Sequence, residues 1–384
     1  MVSLKIAILG TRGVPPAYGG FETFAAELGT RLVQRGHQVT VYCREIGDSR
    51  LEIGRTPIPI SNLQSPISWN GIQRIVLPAI PGKYFETVSH TFVSAIDAVR
   101  RRFDVILLCN AANAFTIPLL RAARTPVVIN VDGIERRRRK WNILGRLVYA
   151  TGEALSASFA NRVVADAQVI GEYYRENFGI EPAVIPYGAE FPEERDSDVL
   201  QRLGIERGNY ILYVSRFEPE NNPLEVVEAY EKLEPAPPLV MLGQGLYAKD
   251  LVRKLESHRS GKILFPGALY GPDYRTLQRN ALVYIQATEV GGTHPALIEA
   301  MASGGCVLAH ETPENLEVGG DSVGYFRFHP EETLSASVRD LLDDPSRRED
   351  LRERARQRAA ERYSWSAVTD AYERLFREVT ESFP

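Results

Sequence analysis

Cysteine is scarce in this chain: three residues in 384, Cys43, Cys109 and Cys306, lie far apart with no CxxC or other metal-ligand spacing. That argues against a disulfide framework or a cysteine-built metal centre, and suits a reducing cytoplasm. A dominant charge is missing too. Lysine and arginine total 45 against 49 acids, a net charge of −4, so nothing draws the whole chain to nucleic acid. No apolar run approaches the roughly 20 residues of a membrane span. The start, MVSLKIAILG, enters an apolar strand directly, without the basic and long apolar regions of a secretion signal. The expected location is cytoplasmic, at most peripheral at the inner face of a membrane.

What is present is an ordinary globular composition, 44% hydrophobic and 24% charged, long enough for two or three domains. Short β-rich runs alternate with helical periods: KIAILG (5–10), QVTVYCR (38–44), FDVILLCN (103–110), TPVVINVDG (125–133) and NRVVADA (161–167). The theme resumes with NYILYVSRF (209–217), PPLVMLGQG (237–245), KILFPG (262–267), ALVYIQA (281–287) and CVLAHET (306–312). Near-continuous apolar strands between helices indicate parallel sheets covered on both faces. The charged connection after residue 187 separates two such sheets. The reading is α/β, two doubly wound domains facing each other across a cleft at their strand ends. The domains span 1–187 and 188–360. A last helix within 361–384, with Trp365, Val368, Tyr372 and Leu375 on one stripe, is expected to pack back on the first domain.

EVGGTHPALIEAMASGG (289–305) places two glycines and a proline before an amphipathic helix. Gly291 and Gly292 let backbone approach a ligand, and the helix start offers unpaired N–H groups to an anion. Glu299 cannot meet that anion, so it suits a neighbouring hydroxyl. The implied ligand carries both a phosphate and a polyol. The first glycine loop, LGTRGVPPAYGGFETF, does not complete a dinucleotide fingerprint, and Arg44 stands where an acid would read a ribose. Gly19 and Gly20, just before a helix, suit a diphosphate or acceptor, and Arg12 can add a cation. Arg216, at a strand end in VSRFEPENN, suits a diphosphate, a contact worth about 1.5–3 kcal/mol. Asn221 and Asn222 can donate amides to the same group or cap the next helix.

These motifs, with NVDGIERRRRKW, VVADAQVIGEYYRENFG, VIPYGAE and MLGQG, resemble a GT-B-fold retaining glycosyltransferase of family 4 type. The resemblance covers nearly the whole chain and favours the bacterial rhamnosyltransferase-like branch. It implies a nucleotide-sugar donor held by the second domain and an acceptor held by the first. Glu299 matches the helix-borne glutamate that binds the donor ribose. Gly292 and Thr293 match the loop contacting donor sugar and phosphate, and Arg216 matches the diphosphate arginine. Tyr270, or equally Leu269, lies where the base is held. Two positions depart from the wider group. Its second carboxylate, eight residues before the ribose glutamate, is Gly291 here, leaving backbone groups or Glu289 to read the sugar. Its phosphate lysine is replaced by Asn221.

The chemistry expected is leaving-group stabilisation by Arg216 and nearby N–H groups. Asp132, with Glu135 as a weaker candidate, is expected to position sugar or acceptor, or else to cap the next helix. His294 could serve as a base but sits inside the donor loop. The run Arg136, Arg137, Arg138, Arg139 and Lys140 cannot be core on residue preference alone. With Trp141 it reads as a solvated face, or as a site for an anionic membrane or diphosphate-linked lipid acceptor. The resemblance implies L-rhamnose from TDP-rhamnose passed to a polyprenyl-diphosphate-linked or saccharide acceptor, with a UDP-hexose as runner-up. A nucleotide-sugar epimerase and a non-catalytic scaffold are the competing classes. No cofactor or dedicated metal is expected, because no carboxylate cluster is visible, and no nucleic acid.

Overall fold

The computed structural model describes residues 2–16, 20–44, 68–80, 85–139, 141–190, 196–245, 248–328 and 333–383. The first domain runs β1 (Lys5–Leu9), α1 (Gly20–Gln34), β2 (Gln38–Arg44), β3 (Ser68–Trp69), β4 (Ile72–Leu77), α2 (Phe85–Arg101), β5 (Val105–Cys109) and α3 (Ile117–Ala122). It continues with β6 (Val127–Asn130), α4 (Ile143–Phe159), β7 (Arg162–Ala165), α5 (Gln168–Phe178) and β8 (Ala183–Val184). Among the described residues its sheet has the order β3-β4-β2-β1-β5-β6-β7-β8, parallel except for the β3–β4 pair. Strands β1, β5 and β6 are buried from end to end apart from Lys5, which is why their sequences are apolar without alternation.

The second domain begins with α6 (Val199–Leu203), β9 (Ile211–Val214), α7 (Pro223–Tyr230), β10 (Leu239–Leu242), α8 (Lys249–Glu256), β11 (Ile263–Gly267) and α9 (Gly271–Asn280). There follow β12 (Val283–Gln286), α10 (Pro295–Ala302), β13 (Val307–His310), α11 (Pro313–Gly319), β14 (Gly324–Phe326), α12 (Leu334–Asp343) and α13 (Pro345–Arg362). The order β11-β10-β9-β12-β13-β14 is parallel throughout the described residues. Strand order reverses beside β9 and β12, and at this switch point the strand ends open a crevice.

The chain returns to the first domain in α14 (Trp365–Glu381). Its stripe of Trp365, Val368, Tyr372, Leu375, Phe376 and Val379 is buried, with Phe24 of α1 at 5.4 Å from the Tyr372 ring. Asn130, at the end of β6, donates to the Tyr372 hydroxyl at 2.8 Å. The two interdomain crossings lie side by side, Ala189 N–H donating to the Tyr363 carbonyl at 2.7 Å. A Cβ on Gly188 would come within 2.6 Å of the Trp365 ring, so only glycine lets them pack.

Candidate active site

The two sets of strand ends face a single cleft of about 1200 Å³. Its walls include Arg12, Gly20, Asp132, Glu135, Arg216 and Glu299. Gly20 opens α1, and Pro295 opens α10 after the helix-capping position His294. A Cβ on Gly20 would touch Pro295 at 3.5 Å. Two helix N-termini from opposite domains therefore meet at the cleft, and their dipoles favour an anion beside them. Gly19 and Lys140 lie outside the described residues.

Arg216 follows β9, and its partly exposed guanidinium faces the cleft, with Nη1 3.7 Å from Glu218 Oε1. Asn221, which lines the cleft, and Asn222 both direct their amides to neighbouring protein groups. Asn221 Nδ2 donates to the Arg216 carbonyl at 2.7 Å, and its own carbonyl accepts from the Tyr213 hydroxyl at 2.9 Å. Asn222 Nδ2 donates to the Ala287 carbonyl at 2.8 Å and to Glu289 Oε1 at 3.1 Å. These asparagines hold the arginine loop in shape. Leu269 and Tyr270 both line the cleft, at the start of α9.

Glu299 lies one turn into α10 and accepts from the Tyr274 hydroxyl. Gln278 Nε2 steadies that hydroxyl at 2.7 Å and reaches the Ala296 carbonyl at 3.2 Å. Burial pushes the Glu299 carboxyl up to about 7, only partly offset by Tyr274. Between the ordinary glutamate value and about 7 the folded protein holds a proton that the unfolded chain has released, so stability falls as pH rises through this window. Glu299→Gln lacks that dependence. Relative to the variant, wild type is expected to lose up to about 3 kcal/mol between about pH 4.5 and pH 7, read by denaturant titration at each pH. Parallel curves for the two proteins would show the carboxyl to be ionised throughout.

Asp132 follows β6 with φ 59°, a left-handed conformation that aspartate tolerates better than most residues. Its N–H donates to Asn130 Oδ1 at 2.9 Å, and its Oδ1 accepts from the Tyr187 hydroxyl at 3.3 Å. The next helical turn, 135–137, is capped by Ile134 without a side-chain bond, so Asp132 is not its cap. Burial and Glu135 raise the Asp132 pKa, while Arg138, Tyr187 and Arg216 lower it, and the balance is upward. The carboxyl and Arg216 both line the cleft.

One wall is a seam between the domains. Thr293, expected on the donor, donates its N–H to Asp166 Oδ2 at 2.8 Å and its hydroxyl to the Asp166 carbonyl. A Cβ on Gly292 would lie 1.9 Å from Asp166 Oδ1, and one on Gly133 would lie 2.6 Å from the Gly291 carbonyl carbon. The glycines thus permit close approach of the two domains at least as much as approach to a ligand. Asp166, fully buried after β7, has its pKa raised by desolvation and by Asp132. It was not foreseen from sequence. The available signal was that consecutive strands, NVD and VAD, both end in an acid.

The basic run is the largest correction. Arg138 is buried, its Nε donating to Glu135 and its Nη1 lying 3.6 Å from Glu220 and 4.0 Å from Glu218 of the other domain. Burial opposes its charge, but Glu135, Asp132, Glu218 and Glu220 outweigh that and raise its pKa. Arg136 pairs with buried Glu153 at 3.0 Å and donates to Tyr173. Arg139 Nη2 donates to Glu289 Oε2 at 2.9 Å, so Glu289 is engaged in the seam rather than aimed at a sugar. Arg137 is exposed beside the Tyr173 ring. Trp141 packs on Tyr149 at 5.2 Å, and both line the cleft. His294 is held neutral by burial and by Arg138, its pKa lowered to about 3. A Cβ on Gly291 would lie 2.4 Å from the His294 ring, so the imidazole fills the space beside that glycine.

Two Rossmann-like domains, joined by two adjacent crossings and sharing one cleft, define the GT-B architecture. Residues 18–190 match Glycosyltransferase Family 4, and residues 197–358 match Glycosyl transferases group 1. The chain belongs to the GT-B glycosyltransferases of this group 1/family 4 type and is a transferase. A D-inositol 3-phosphate glycosyltransferase of Kineococcus radiotolerans is 21% identical, over 98% of this chain and 96% of that protein. Sucrose-phosphate synthase of Thermosynechococcus elongatus has the same fold, with TM-score 0.81, 18% identity, and coverage of 98% and 99% of the two chains. HepE of Anabaena, solved with UDP-glucose, gives TM-score 0.77 at 17% identity, covering 97% and 99%. Among the described residues no helix is long and apolar enough to cross a membrane, and no group of three or more histidines, cysteines or acids could hold a metal ion.

Proposed function

We propose that this transferase moves L-rhamnose from TDP-rhamnose, with retention, to a polyprenyl-diphosphate-linked or saccharide acceptor in surface-polysaccharide synthesis. The observation that carries the reading is the meeting of Arg216 with the N-termini of α1 and α10, beside Glu299. A diphosphate between the helix ends places a ribose diol within reach of Glu299, which Tyr274 holds in place. As the glycosyl–phosphate bond breaks, charge grows on the diphosphate, and Arg216 with the helix N–H groups stabilises it. Asp132, which also lines the cleft, positions sugar or acceptor. A deoxy sugar is favoured by the neutral His294 ring beside Gly291. UDP-glucose is the second reading, favoured by the fold shared with HepE, which was solved with that donor.

The test is a thermal-shift panel of TDP, UDP, GDP and ADP, then TDP-rhamnose and UDP-glucose, on wild type and Arg216→Ala. A ligand at about 100 times its dissociation constant stabilises by about 2.7 kcal/mol. The expected order is TDP-rhamnose above UDP-glucose, with a smaller but still visible response in Arg216→Ala. The reverse order moves the donor to the hexose, and silence across the panel sinks the transferase mechanism in favour of a scaffold. Turnover of donor without acceptor into an isomeric nucleotide sugar would instead indicate an epimerase. Transfer is expected to persist in chelator, the cleft's cations and helix ends serving the diphosphate. Complete loss on chelation, restored by magnesium, would refute that.

A further inference from the structure

The outward face of α4 carries an apolar ridge that nothing in the site explains. Ile143 is 87% exposed, Leu144 66%, Leu147 62% and Val148 44%. The inward face is firmly seated: Gly145, Tyr149, Gly152, Glu153 and Ser156 are buried, and a Cβ on Gly152 would lie 2.2 Å from the Ala111 carbonyl oxygen. The ridge is therefore displayed by a clamped helix and is not a loosened piece of core. Its charge is one-sided. The only acid in α4, Glu153, is buried against Tyr173 and Arg136, whereas Arg146 is exposed among the apolar side chains. Leu119 of α3, which packs beside α4, is also exposed. Trp141, just before the helix, and Tyr149, on its inward face, line the cleft.

We propose that this ridge docks on an anionic lipid bilayer, with Ile143, Leu144, Leu147 and Val148 in the interface and Arg146 against lipid headgroups. The proposal rests on the lipid-linked acceptor reading and adds the surface that brings such an acceptor to the cleft mouth. Aliphatic residues beside an arginine on one rigid helix face suit an interfacial element. A second copy fits less well. A two-fold contact through the ridge brings like-charged arginines together, and a few side chains fall short of the roughly 800 Å² per partner of a stable interface.

Co-sedimentation with vesicles of phosphatidylcholine plus phosphatidylglycerol, and of phosphatidylcholine alone, tests this without donor or acceptor. Wild type is expected to bind the mixed vesicles and to bind the neutral ones more weakly. The variant Ile143→Ser/Leu144→Ser/Leu147→Ser is expected to bind about 100-fold more weakly, and Arg146→Gln about 5-fold more weakly. Both variants should melt where wild type does, since the changed side chains are exposed. Equal sedimentation of wild type and the triple variant, or no binding by wild type, overturns the proposal. So does a dimer in light scattering that the triple variant abolishes, which would assign the ridge to a second copy. The donor panel is read separately, so failure of either experiment leaves the other interpretable.

Discussion

Replacing Arg138 by methionine is expected to destabilise the protein by about 3–5 kcal/mol, whereas the same change at its neighbour Arg137 costs less than about 0.5 kcal/mol. The two residues are adjacent in sequence and opposite in environment. Arg138 lies buried between Glu135 of its own domain and Glu218 and Glu220 of the other. Neither Glu220 oxygen has a hydrogen bond, although Arg138 Nη1 is within 3.6 Å. Methionine preserves volume and removes the charge, leaving the Glu220 carboxylate in low dielectric without the cation beside it. That penalty, not the lost attraction alone, makes breaking a buried pair costly. Because the Arg138 pKa is raised, it stays charged through the accessible range and its contribution has no titration window there. Denaturant unfolding of both variants measures the contrast. Adding Glu220→Gln to Arg138→Met should recover part of the loss, since one uncompensated carboxylate disappears. Equal small losses at both positions would show that water reaches Arg138 and that the seam is not closed in solution.

Arg138 also marks the limit of what residue order reveals. The run RRRRK is local, but the acids that bury one of its members come from positions 218 and 220, brought over by the domain arrangement. Preference for the surface is a property of an isolated arginine, and it fails where opposite charges enclose the side chain. The sheet was more legible. The apolar runs at β1, β2, β5, β6 and β7 fall where their sequences place them, because strands covered on both faces need little beyond continuous apolar residues. The β3–β4 hairpin was missed, although its turn Asn70–Gly71, with φ 46° and 82°, is the dipeptide that tight hairpins favour. In the site, Glu299 and Arg216, picked out by motif and strand-end position, both line the cleft. Tyr274 was not, though Tyr274 and Gln278 stand one helical turn apart and so share the face that meets α10. The seam contact of Thr293 with Asp166 spans 127 residues, and no local pattern encodes such a pairing.

Arg216→Ala is expected to lower the rate of sugar transfer about 1000-fold, with a smaller loss of donor affinity. The asymmetry follows from when charge appears. On the proposed reading the diphosphate is already anionic in the intact donor, and the two helix N-termini are expected to hold it still in the variant. During bond breaking further charge develops on the leaving oxygen, and a guanidinium on this wall is placed to meet it. Arg216→Lys should recover only part of the rate, since a point charge on a flexible stem cannot reproduce a planar fork. Asn221→Ala tests the loop separately. Its amide holds the Arg216 carbonyl at 2.7 Å, so its loss should lower the rate about 10-fold by letting the arginine wander, without removing the charge. Single-turnover transfer and donor binding, measured side by side, separate these effects. If Arg216→Ala weakened donor binding and slowed the chemical step by the same factor, the arginine would be a ground-state anchor, and stabilisation of the leaving group would fall to the N-termini of α1 and α10.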